Sequence, residues 1–214
     1  MSCAICQNRK PRRHCIGIHA DICTVCCGTA REETVSCPIE CEYLQEAYRH
    51  ERVEAPDPAT LPNRDIQVTE EFLRDNEMAV VIGGRSLLKA ALEVEGAVDF
   101  DLREALESLV QTYRTLGSGL YYEARPQNTI AAAICDSVQQ TMREFRELEM
   151  KERGTSSVGD AAILTVLCFL QRLEYDWNNG RKRGRAFVNF LAHQFMPTDA
   201  EAEGDEPTPP LLIG

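Results

Sequence analysis

Eight cysteines crowd the first 41 residues: Cys3, Cys6, Cys15, Cys23, Cys26, Cys27, Cys37 and Cys41. Cys3-x2-Cys6 and Cys23-x2-Cys26 each present two thiolates from one tight turn, and four such soft ligands complete a tetrahedral zinc shell. Cys37-Pro38-Ile39-Glu40-Cys41 predicts a further pair by a helical route. Pro38 suits a first helical turn, and the i to i+4 spacing sets both thiolates on one face. Two sites of four thiolates use every one of the eight, so two structural zinc ions are the expected cofactors. Cys26 and Cys27 are neighbours whose side chains point apart, so one can serve each site. His19, four residues after Cys15, is an alternative to one of them.

Energetics favour metal over an apolar core here. Ordering about 45 residues costs on the order of 1–2 kcal/mol each. The large apolar residues between Cys3 and Pro38 are mainly Ile5, Ile16, Ile18, Ile22, Val25 and Val35. A structural zinc supplies roughly 10–16 kcal/mol, so this zone is expected to be unfolded without it. The remaining cysteines, Cys135 and Cys168, sit among apolar neighbours and are expected to pack as small hydrophobes.

The order pair, single, group, pair resembles the interleaved cross-brace zinc fingers of the B-box, MYND and HIT type, over about the first 45 residues. The resemblance implies that Cys3 and Cys6 join ligands from the Cys23–Cys27 group, and that Cys15 joins Cys37 and Cys41. It also implies a role in protein assembly or regulation. The pattern departs at one point: Gly17 stands where those families place a second ligand after the Cys15 equivalent.

Two basic clusters interrupt a chain of net charge -11: Arg9-Lys10-Pro11-Arg12-Arg13-His14, and Arg181-Lys182-Arg183-Gly184-Arg185. Glycines in and before the second let backbone amides approach a phosphate or an acidic peptide. Placed on one face, the loops at 9–14 and 181–185 would form a nucleic-acid patch, the alternative to a protein partner. Gly-x-Ser-x-Gly, P-loop, GxGxxG and HExxH motifs are all missing from the sequence. An enzyme is therefore not expected, and no small-molecule substrate is evident. An enzymatic reading would need Tyr122, Glu123 and Arg125 to converge on a buried cavity.

These residues must be positioned by a chain whose composition changes along its length. Residues 1–53 carry seven Lys/Arg and seven Asp/Glu and form the expected zinc finger. Residues 54–64 hold three prolines and read as a stiff linker. Residues 65–196 show helical periodicity in about five segments. The first spans about 70–94, with Gly83-Gly84 expected to kink or split it. The others are 99–116, 128–152, 157–177 and 184–195. The fourth is apolar nearly all round and so is expected at the centre. Residues 197–214, with five acids and no bases, are expected to be disordered. The longest apolar stretch, Ala161 to Leu170, is ten residues with Thr165 inside it, well below the roughly 20 that cross a bilayer, so no membrane contact is expected. The start lacks a signal-peptide pattern, and a reducing cytoplasm is the expected location. The fold class is mainly α: a small cysteine-rich module followed by an all-α bundle.

Overall fold

The structure is a computed structural model, which describes residues 2–50, 57–119, 122–155 and 158–196. The expected tail and most of the first half of the linker lie outside those residues. The fold class is as expected: a cysteine-rich N-terminal module precedes a helical region. The module holds β1 (Arg13–Cys15), β2 (Ala20–Ile22), α1 (Thr24–Ala30) and α2 (Glu42–His50). The strands pair antiparallel with Arg13 opposite Ile22 and Cys15 opposite Ala20. The bundle consists of α3 (Glu70–Asp75), α4 (Glu77–Glu93), α5 (Asp99–Gly117), α6 (Thr129–Arg153), α7 (Asp160–Trp177) and α8 (Ala186–Phe195).

The apolar stripes meet as their periodicity requires. Leu102, Leu106, Leu109 and Val110 of α5 are buried with Ile134 and Val138 of α6 and Ile163, Val166, Leu167 and Leu170 of α7. The caps are set by sequence. Asn128 accepts the amides of Ile130 and Ala131 at the start of α6, and Gly154 ends that helix at φ 73. The left-handed turn there suits glycine.

The Gly83-Gly84 pair does not split its helix. The chain breaks at Asn76, between α3 and α4, and α4 runs on through both glycines. The glycines are contact points instead: a Cβ on Gly83 would lie 2.9 Å from Val166 Cγ1, and one on Gly84 would lie 2.6 Å from the Phe195 ring. They let α7 and α8 approach α4 closely.

The end of the expected linker is strapped to the bundle. Arg114 Nη2 donates to Asn63 Oδ1 at 2.8 Å and to Asp65 Oδ1 at 2.7 Å. Arg172 Nη2 donates to the carbonyls of Asn63 and Ile66.

Three buried carboxylates organise the turn before α8. Asp99 accepts the Phe187 and Val188 amides at 3.0 and 3.1 Å. Glu174 accepts Arg103 Nε and Asn178 Nδ2. Glu32 reaches the same turn from the module and is fully buried. Burial pushes the Asp99 carboxyl up to about 8, against the pull of the two amides and with added repulsion from Glu174 and Glu32. A carboxyl raised in the folded state keeps a proton that the unfolded chain has released, so folding stability falls as pH rises from about 4 to about 8. Between about pH 5 and 7 this slope approaches about 1.4 kcal/mol per pH unit for one group. Asp99→Asn should flatten it, as read by thermal melting at several pH values.

Candidate metal centre

The module is built around sulfur. Cys3 amide donates to the Arg9 carbonyl and Gln7 amide to the Cys3 carbonyl, closing the first turn around Cys3 and Cys6. Ala4 amide donates to the Asp21 carbonyl, which lays that turn along β2. Cys23 is the N-cap of α1 and its sulfur accepts the Cys26 amide. The Cys23 amide in turn donates to Cys3 Sγ at 3.2 Å. The result brings Cys3, Cys6, Cys23 and Cys26 together, with all four Sγ atoms within 4.8 Å of one another. A tetrahedral ion about 2.3 Å from each sulfur sets sulfur–sulfur edges of about 3.8 Å, so the cluster fits a metal ion.

Its electrostatic surroundings act on the four thiols in opposite directions. The Arg9 and Asn8 amides hold the Cys6 thiol down to about 6. Burial pushes Cys26 up to about 12, with the neighbouring thiols adding to the rise. Arg9 supplies positive charge beside Cys6 and Cys23.

Cys15, Cys27, Cys37 and Cys41 come together less tightly. They line one cavity of about 20 Å³, walled also by Val35 and Leu44 and adjoining Cys26. Cys37 is buried with Ala30, Val35 and Leu44, and Cys15 and Cys41 pack against that group. Arg13 Nη1 donates to Cys27 Sγ at 3.3 Å, and its guanidinium stacks 4.4 Å over the Tyr43 ring. Among the described residues, no second set of three or more such ligand atoms lies within 4.8 Å.

Two expectations about this half need correction. Cys37 and Cys41 do not share a helical face: Pro38–Cys41 closes as a turn through the Cys41 amide and the Pro38 carbonyl, and α2 starts only at Glu42. The turn places Ile39 against the bundle core. Gln45 Nε2 fixes the turn by donating to the Ile39 carbonyl and to Asn189 Oδ1 of α8, both at 2.6 Å. Position 17 has no room for a ligand. A Cβ on Gly17 would lie 2.6 Å from the Ser36 carbonyl oxygen, so a glycine is required where the hairpin presses on the Val35–Ser36 backbone. His19 is exposed at φ 50 between the strands and does not line the cavity. His14 pairs with Asp21 at 2.9 Å.

Both basic clusters are largely engaged by this chain. Arg9 and Arg13 face the thiols, and Arg9, Lys10 and Arg12 are exposed. In the second cluster Arg181 donates to the Arg31 carbonyl, Arg183 to Ser36 Oγ and Arg185 to the Ala91 carbonyl. The amides of that loop do approach an acid, and it is Glu32: Arg185 amide donates to Glu32 Oε1 at 2.7 Å and Arg183 amide to the Glu32 carbonyl at 2.7 Å. Asn179 Nδ2 and Tyr48 Oη complete the shell of the Glu32 carboxylate.

Cys135 and Cys168 are buried in the bundle, and burial raises their thiols to about 12 and about 11. Tyr122 and Glu123 line an open cleft of about 380 Å³, where both are exposed; Arg125 pairs with Asp136 at 2.6 Å nearby. No helix among the described residues is long and apolar enough to cross a membrane. Comparison with protein-family models, curated proteins and solved structures gives no match to this chain.

Proposed function

We propose that this chain is a non-enzymatic zinc-finger protein that acts as a docking or regulatory adaptor for another protein. One observation carries the reading: Cys3, Cys6, Cys23 and Cys26 form a complete four-thiol set, three of them buried. A catalytic zinc keeps one position open for water or substrate, whereas four chain ligands leave none. The ion therefore serves as a permanent cross-link. A second zinc ion belongs in the cavity of Cys15, Cys27, Cys37 and Cys41, whose sulfurs close on it when it binds. Arg9 and Arg13 offset part of the negative charge of the two thiolate sets. This arrangement accords with the resemblance to cross-brace fingers.

Protein contact is favoured by the finger's surface. Ile5, Ile16, Ile18 and Val25 are between 38% and 48% exposed on a module with few apolar residues to place. The basic clusters support a nucleic-acid role less well, because five of their six arginines already face thiols or hydrogen-bond to groups of this chain. Two measurements test the reading. Metal analysis of the purified 214-residue chain should give two zinc ions per chain. Capture from a native lysate should be resistant to nuclease and lost in the Ile16→Glu, Ile18→Glu double variant. Capture abolished by nuclease, and indifferent to the double variant, would replace this function with nucleic-acid binding.

A further inference from the structure

The loop between Cys27 and Cys37 does more than connect two thiols. The carbonyl of Ala30 accepts the amides of Glu33, Thr34 and Val35, and Glu32 amide donates to the Val35 carbonyl. This tight turn drives Glu32 to φ 54, a left-handed conformation that costs a side chain like glutamate energy. The strained turn aims the carboxylate into the bundle. There it takes hydrogen bonds from the Arg185 amide, Asn179 Nδ2 and Tyr48 Oη, with Arg183 amide on its own carbonyl. The module's local apolar support is slight: Ala30, Val35, Cys37 and Leu44.

We infer that Glu32 is a metal-dependent latch, through which the ligation state of Cys27 and Cys37 controls the order of the bundle's α7–α8 loop. The inference rests on the proposed second metal site. With an ion joining Cys27 to Cys37, the ends of the turn are tied and Glu32 is presented to the loop. Without it the turn relaxes, and the Arg183 and Arg185 amides lose their acceptor. The other side of the same loop is held independently of the module, because the Phe187 and Val188 amides donate to Asp99 of α5. Release therefore opens one side only. It also removes a wall from the cleft of about 160 Å³ that Tyr48 of α2 shares with Trp177, Asn189 and Phe190. The bundle thereby reports whether the finger is loaded. Coupling of this kind is reciprocal, so loss of the latch weakens metal binding by the factor by which metal stabilises the latched state.

Amide hydrogen exchange by NMR on the 214-residue chain, paired with metal analysis, tests this. Stripping the metal should speed exchange at Arg183 and Arg185 by about tenfold or more, while Phe187, Val188 and the amides of α7 stay protected. In Glu32→Ala those two amides should exchange fast even in the loaded protein. Zinc affinity, read by competition with a chromophoric chelator, should be roughly fivefold weaker. Glu32→Gln, which keeps an acceptor, should restore most of the protection. Arg183 and Arg185 amides that stay slow in a chain shown to be metal-free would overturn the latch and leave the zinc reading intact. Loss of protection across α7 as well would overturn it in favour of global unfolding. A chain that binds no metal would overturn both.

Discussion

Treatment with a strong chelator should unfold residues 2–50 and leave the helical bundle standing. Half of the module's buried apolar residues are cysteines. One group is Cys3, Ile22, Cys23 and Cys26, and the other is Ala30, Val35, Cys37 and Leu44. Ordering this much backbone costs roughly 1–2 kcal/mol per residue, and these eight side chains cannot offset it. On the proposed reading, each structural zinc would add about 10–16 kcal/mol toward this cost. The expected result is loss of the dispersed amide signals of β1, β2 and α1, with the α5–α7 signals retained. Acid should act in the same direction, because protons compete with the metal for sulfur. A metal-free chain with the module's signals unchanged would refute the proposal that metal supports this fold.

Phe187→Ala should cause the largest loss from a single apolar side chain in the bundle. Phe187 is fully buried at the start of α8, its ring stacks 6.4 Å from Phe190, and its amide is held by Asp99. Truncating a buried phenylalanine costs about 3–5 kcal/mol. For a chain of this size that corresponds to a melting temperature lower by roughly 6–20 °C. The zinc content should not change, since the side chain touches no thiol of the module. A loss of metal in this variant would mean that the module depends on the bundle far more than the seam at Glu32 implies.

Several parts of this architecture were legible in the residues alone. The stripe Leu102, Leu106, Leu109 and Val110 placed α5, because a buried face needs only the helical period to reveal itself. The Cys-x2-Cys spacing marked metal-binding turns, while the joining of Cys3 and Cys6 with the Cys23–Cys27 group followed only from the resemblance to cross-brace fingers, and spacing left open whether Cys26 or Cys27 serves that set. The Cys37–Cys41 turn was hidden, because its Ile39 packs against a bundle core distant in sequence. Gly83 and Gly84 read as helix breakers, but whether a glycine bends a helix or admits a neighbour depends on what lies opposite, here Val166 and Phe195. Glu32 was missed because an acid in a polar loop looks like a solvated one. The signal was present on the other side, in the prediction that the glycine-flanked basic loop offers its amides to an anion. Sequence could not tell that the anion belongs to the same molecule.

The pairing of Glu32 with Arg185 spans 153 positions. At about 5–20 residues per second of synthesis, the amino-terminal module emerges roughly 8–30 s before its receptor exists. Throughout that interval the growing chain carries a contorted turn and an acid destined for the interior, with no bundle to brace them. On the proposed metal-binding reading, the nascent module can capture its ion within that interval, and the seam closes last. A chain completed without its ion would, on that reading, present no ordered Glu32 turn for the bundle to receive.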